Sequence, residues 1–164
     1  ASDYESLCRE LSAKFHIRIS PSYMDPIMFD SKKSPDNRIH CSICGFVQKQ
    51  GSRDKGINII GASAPIVSES ELYEVLSAQG HAPIRHMAMY KTLTEADAMG
   101  KSSLSIVTAG NGKMAAEEMQ RKHGIPYILF PIQYSPQSVR ASYARLGEKL
   151  GVSIEDDVWH EVCD

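Results

Sequence analysis

The chain has 164 residues, enough to bury a core within one domain. Hydrophobic residues make up 42% and charged residues 23%, the balance of an ordinary globular protein. A net charge of −2 gives no basic field for nucleic acid or an anionic membrane, so neither is an expected partner. No apolar run approaches the roughly 20 residues of a membrane span. Asp3, Glu5, Arg9 and Glu10 also break any apolar export segment at the start, so the expected location is the cytoplasm. Ala1 fits a processed chain or an excerpt from a longer one.

Residues 3–14 predict a first helix, with Tyr4, Leu7, Cys8 and Leu11 on one face and Ser2 or Asp3 as its cap. Ile17 to Ile19 reads as a short strand, ended by Pro21 and a polar stretch through Ser34. Ser34-Pro35 has the form of an N-cap followed by proline at the first helical position. The spacing of Ile39, Ile43, Phe46 and Val47 then predicts an amphipathic helix over 35–49.

From Gly56 the pattern becomes regular. Apolar runs at 57–60, 84–89, 104–107 and 127–131 alternate with helical segments near 68–79, 93–100, 112–123 and 136–150. Gly80, Gly124 and Gly151 stand where helix C-termini favour a left-handed residue. This alternation implies βαβ units, a mostly parallel sheet of four to five strands and helices on both faces. The expected architecture is a three-layer α/β domain of Rossmann or flavodoxin type over 56–164. Residues 1–55 are expected to form flanking helices and a short strand packed on it. A last helix is expected over 154–163, around Val158, Trp159 and Val162.

Parallel open sheets bind ligands beyond the carboxyl ends of their strands. The residues expected there are Gly61, Ser63, Tyr90, Lys91, Thr108, Gly110, Asn111, Gly112, Gln133 and Tyr134. They supply hydroxyls, amides and one amine, but no paired carboxylates and no Ser-His-Asp or Cys-His set. The edge therefore reads as the wall of a site, with no catalytic residue assigned. The turn Thr108-Ala-Gly-Asn-Gly112 has the position of an anion-binding helix start. It lacks the phosphate-binding glycine signatures, and a tight strand-to-helix turn accounts for it. Cys41-Ser-Ile-Cys44, preceded by His40, is the one pair with ligand spacing. Cys8 and Cys163 stand alone, and small thiols at i and i+3 also suit a helix's packed face. Packing is the favoured reading, Cys41 and Cys44 remain weak metal candidates, and no cofactor is expected within the segment. His81, His86 and His123 are scattered and read as surface or core histidines.

Four ordered features carry a family resemblance: the strand Ile57-Asn-Ile-Ile-Gly61, the helix ending Leu76-Ser-Ala-Gln-Gly80, the segment from Lys113 through Gly124-Ile-Pro-Tyr127, and the helix from Val139 to Gly151. Together they resemble the middle domain of nitrogenase component 1-type oxidoreductases, with a looser match over the first 55 residues. The resemblance implies a redox role in a longer, three-domain parent. An ATP-dependent iron–sulfur reductase would deliver electrons to a component 1 homo- or heterodimer, which reduces a bound substrate or cofactor. The resemblance implies an iron–sulfur cluster in the full-length parent and leaves open a metallocofactor or a tetrapyrrole beside it. Thr108-Ala109-Gly110-Asn111 has no cysteine where nitrogenase's catalytic chain ligates its cofactor, which favours a divergent relative over nitrogen fixation. The segment alone is expected to be inactive. Two readings of another class remain beside this one: a cofactor-assembly scaffold, and a stand-alone ligand-binding module.

Overall fold

The computed structural model describes residues 3–23 and 34–154. Helix α1 (Tyr4–Phe15) is capped by Asp3, whose carboxylate accepts from the Ser6 N–H, and it ends at His16 with a left-handed φ of 54°. Helix α2 (Pro35–Phe46) begins as the Ser34-Pro35 pair predicts, with the Ser34 hydroxyl accepting from the Asn37 N–H at 3.3 Å. The remaining elements are β1 (Ile57–Ile60), α3 (Glu71–Ala78), β2 (Ile84–His86), α4 (Leu93–Asp97), β3 (Leu104–Val107), α5 (Lys113–His123), β4 (Tyr127–Leu129) and α6 (Pro136–Leu150).

The four strands form one wholly parallel sheet in the order β2-β1-β3-β4. Alternation along β1 and β3 divides the core in two. Ile57, Ile59, Leu104 and Ile106 face Leu72 and Leu76 of α3 and Tyr143 and Leu146 of α6. Ile60 and Val107 face the other way, onto Cys44 and Val47 beside Ala115, Ala116 and Met119 of α5. The three-layer α/β architecture is therefore the one expected, with helices on both faces. Each of the isoleucines buried here stabilises by roughly 1.5–3 kcal/mol relative to exposure. Gly80, Gly124 and Gly151 all adopt positive φ just beyond their helices.

Three expected elements differ. Residues 17–19 are not a strand, because the Ile19 N–H is taken by the Ser12 hydroxyl at 3.0 Å. Arg18 pins the same segment through Asp97, at 3.2 and 2.5 Å, and stacks over the Phe46 ring at 4.7 Å. Strand β2 stops at His86, whose Nδ1 accepts from the Ala88 N–H and caps a 3₁₀ turn over Met87–Met89. Strand β4 stops at Leu129, before Pro131, which has no N–H for the ladder. The helix expected over 154–163 falls, beyond residue 154, outside the described residues, as does Cys163. In the N-terminal region, α2 lies on α5, where Lys122 Nζ donates to the carbonyls of Gly45 and Val47 at the end of α2. Helix α1 buries none of its residues.

A polar clamp fixes the amino edge of the sheet. Arg85 on β2 donates to both Asp54 oxygens, at 3.0 and 2.6 Å, and to the Ser102 hydroxyl at 2.9 Å. Ser102 donates in turn to Asn58 Oδ1, and Asn58 Nδ2 donates to the Met99 carbonyl. The Arg85 hydrogen bond holds the Asp54 carboxyl below its ordinary range, against the smaller opposing effect of burial. A lowered folded pKa stabilises above the unfolded value of about 4, and that stability is lost as pH falls through the folded value. Asp54→Asn should therefore cost about 1–3 kcal/mol at pH 7, since it leaves buried Arg85 without its counter-charge. Solvent reaching Asp54 keeps the figure at the low end of buried pairs. Urea unfolding from pH 7 to pH 2.5 checks it: the difference between wild type and variant should shrink as the pH falls.

Candidate functional site

The strand order places a topological switch between β1 and β3. After β1 the chain crosses by α3, on one face, to β2; after β3 it crosses by α5, on the other face, to β4. The two connections diverge at Gly61 and Thr108, beyond the carboxyl ends of the central strands. A crevice at this point is where such sheets take ligands.

Here the crevice is partly closed by backbone. The Thr108 N–H donates to the Ile60 carbonyl at 3.0 Å. Gly61 (φ +102°) and Gly112 touch directly: a Cβ on Gly112 would lie 2.6 Å from Gly61 Cα, and one on Gly61 would lie 2.8 Å from the Ala109 carbonyl oxygen. Residues 110–112 make a 3₁₀ turn whose donors point inward, Gly112 N–H to Ala109 and Lys113 N–H to Gly110. Two of the N–H groups that an anion cradle would need are thus engaged. Asn111 Oδ1 is buried with no hydrogen-bond partner.

An open cavity of about 390 Å³ lies next to this turn, between α3 and α6. Thr108 and Gln133 line it, together with Ser70, Glu71, Ser142 and Tyr143 on the flanking helices. Its apolar wall is Ile66, Leu72, Phe130, Pro131, Ile132 and Val139. Phe130 and Tyr143 meet edge to face, with centroids 5.1 Å apart. Burial raises the Glu71 carboxyl, with a further push from Glu74, and burial raises the Tyr143 phenol. Sequence reasoning found Thr108 and Gln133 but missed the four residues from helices. The available signals were Ser70 as the N-cap of a helix starting at this edge, and Tyr143 one turn beyond Val139 on the packed face of α6.

The other expected residues scatter. Tyr90 packs against the α2–α5 side of the core, and its hydroxyl is buried, unpartnered and raised in pKa mainly by that burial. Ser63, Lys91 and Gly110 are exposed, and Tyr134 is 95% exposed. The Lys91 N–H donates to Glu95 at 2.9 Å. His86 is buried on β2 with Nε2 unpartnered, and burial lowers its pKa.

Cys41 and Cys44 both lie on α2. Cys44 is fully buried in the core, and burial pushes its thiol up to about 12, so it stays protonated and inert at neutral pH. Cys41 is half-buried beside Arg38, Ser42, Met114 and Glu118. Among the described residues no group of three or more His, Cys, Asp or Glu is placed to hold a metal. None of their helices is long and apolar enough to cross a membrane.

These features define a parallel α/β domain of the class that binds ligands at its carboxyl edge. The family model for nitrogenase component 1 type oxidoreductases matches residues 2–162, and the chain belongs to that family. The match takes in nearly all of the first 55 residues, which the sequence motifs place only loosely. Two solved structures of nitrogenase Cp1, at pH 6.5 and pH 5, share the fold with a TM-score of 0.60 and 14% identity. They align with 77% and 92% of this chain, which spans 32% and 34% of theirs, about a third of their length. No curated protein sequence matches the chain.

The glycine contact makes a direct prediction. Gly112→Ala should destabilise by about 3 kcal/mol or more, because the Ile60–Gly61 backbone blocks the added methyl. Gly110→Ala, with open space around it, should stay within about 0.5 kcal/mol of wild type. Equilibrium urea unfolding of the two variants distinguishes them.

Proposed function

We propose that this chain is the middle domain of a nitrogenase component 1-type oxidoreductase, and that its carboxyl edge forms part of the cavity wall. The parent would accept electrons from an ATP-dependent iron–sulfur reductase and reduce a bound substrate or cofactor. It would do so in the cytoplasm and as a dimer with a sister component 1 subunit. The observation that carries this reading is the family match over residues 2–162, with the cavity at the topological switch in support.

An iron–sulfur cluster bound by such a parent would supply the electron relay. The described residues do not offer its donor set: the switch-point turn carries amide and hydroxyl groups, and Cys44 is buried among apolar side chains. Cluster ligands would therefore come, at least in the main, from other parts of the parent. The residues here contribute shape and hydrogen bonding. Thr108 and Gln133 border the cavity from the strand ends, while Phe130, Pro131 and Ile132 exclude water from one side. The Gly61–Gly112 contact seats the start of α5 on the end of β1, and the Thr108 N–H bond to the Ile60 carbonyl joins the ends of β1 and β3 behind this wall.

Iron and acid-labile sulfide analysis of the anaerobically purified full-length parent tests the redox reading. Cluster-level iron is expected; a colourless, iron-free parent after reconstitution would contradict it and favour a ligand-binding module. For the 164-residue chain alone, zinc and iron are expected at well below one equivalent. Stoichiometric metal lost in Cys41→Ser/Cys44→Ser would overturn the packing role of that pair.

A further inference from the structure

The geometry points to an organic cation as the occupant of the α3–α6 cavity: an apolar, preferably aromatic body with one ammonium-type head held at Glu71. This rests on the reading of the carboxyl edge as the ligand side and adds the ligand's chemistry. At about 390 Å³ the cavity is in the size range of small-molecule sites.

The lining decides the charge. Glu71 is the one lining side chain that carries charge at neutral pH; the cation next to the lining is Arg145, exposed to solvent, which donates to Ser142 Oγ at 3.2 Å. The α3 N-terminus opposes this, since helix starts favour anions, but a helix end amounts to about half a charge. Glu71 brings a full carboxylate to the cavity wall, and exposed Glu74, in the same first turn of α3 but outside the lining, adds to the negative charge it feels. A full charge on the wall outweighs the half charge of the helix end, which disfavours an anionic ligand.

Two further features fit a cation. Phe130 and Tyr143 present an aromatic pair to the cavity, and ring faces attract ammonium groups, most strongly where water is excluded. Ser70 has N-cap backbone angles, yet its hydroxyl makes no bond to its own helix. Its Oγ is buried, and among the described residues no group bonds to it. A ligand N–H donating to Glu71 and Ser70 would satisfy both, and would offset the cost of holding Glu71 away from water. The Thr108 and Ser142 hydroxyls also line the cavity, but Thr108 donates to the Ile60 carbonyl and Ser142 accepts from Arg145, so Ser70 and Glu71 are the groups open to a ligand.

Three probes of equal shape and different charge test this: benzylamine, benzyl alcohol and benzoate, titrated into the ¹⁵N-labelled 164-residue chain. Benzylamine should shift the amides of residues 66–72, 130–133 and 139–143 saturably, about tenfold more tightly than benzyl alcohol. Benzoate should give no saturable shift there. Glu71→Gln should bring benzylamine down to the level of the alcohol, with β1 and β3 amides unmoved as the sign of an intact fold. Phe130→Leu keeps the charge and should weaken benzylamine by about threefold or more. Benzyl alcohol or benzoate binding at these amides as tightly as benzylamine would overturn the cation and leave the cavity as a ligand site. Silence from all three probes would overturn the cation and the cavity's ligand role together, whatever iron the parent contains.

Discussion

The contact between Gly61 and Gly112 is the constraint on which the rest of this structure depends. Two backbones meet where neither residue has room for a methyl group. The contact seats the start of α5 on the end of β1, while the Thr108 N–H bonds the ends of β1 and β3 together. The strand order and right-handed crossovers send α3 and α5 off opposite faces of the sheet from this junction. The cavity is then displaced to the α3–α6 side, where Ser70 and Glu71 meet Phe130 and Tyr143. A glycine turn with the outward look of an anion cradle is here a packing device, and its N–H groups are spent on its own carbonyls.

The two edges of the sheet divide the work. The amino edge carries the polar clamp of Arg85, Asp54, Ser102 and Asn58, with charge and hydroxyls satisfied. The carboxyl edge carries Val67, Met89, Leu93, Leu129, Ile132 and Tyr134, all large, apolar or aromatic, and exposed. Among the described residues, the amino-edge loops have none of the exposed large hydrophobic side chains. The satisfied polar network lies at one end, while exposed apolar side chains gather at the other and, separately, along the N-terminal region at Tyr4, Leu7, Phe15 and Ile17. A chain spanning about a third of the nitrogenase structures it matches would leave such an edge for other domains to cover.

Much of the fold was legible because its signals are local. Short apolar runs at 57–60 and 104–107, buried along their whole length, and glycines beyond three helices marked the strands and helix ends without tertiary information. The errors came where a distant partner intervened. Ser12 and Asp97 hold residues 17–19 out of a strand, and the His86 ring ends β2 by capping the next turn. The site was less legible for the same reason. Strand ends identify Thr108 and Gln133, whereas Glu71 and Tyr143 join them only after two helices have packed on one face of the sheet. Tyr90 fails in the opposite direction: it follows a strand as expected, yet folds inward against the α2–α5 core.

The central claim is that the carboxyl edge is one wall of a cavity which the rest of the parent completes. Hydroxyl-radical footprinting of the full-length parent, compared with the 164-residue chain, tests it most directly. Met89 and Tyr134 should be oxidised several times more slowly in the parent, while His81 at the amino edge reacts alike in both. Equal oxidation of Met89 and Tyr134 in parent and chain would leave this edge facing water, and would contradict the account.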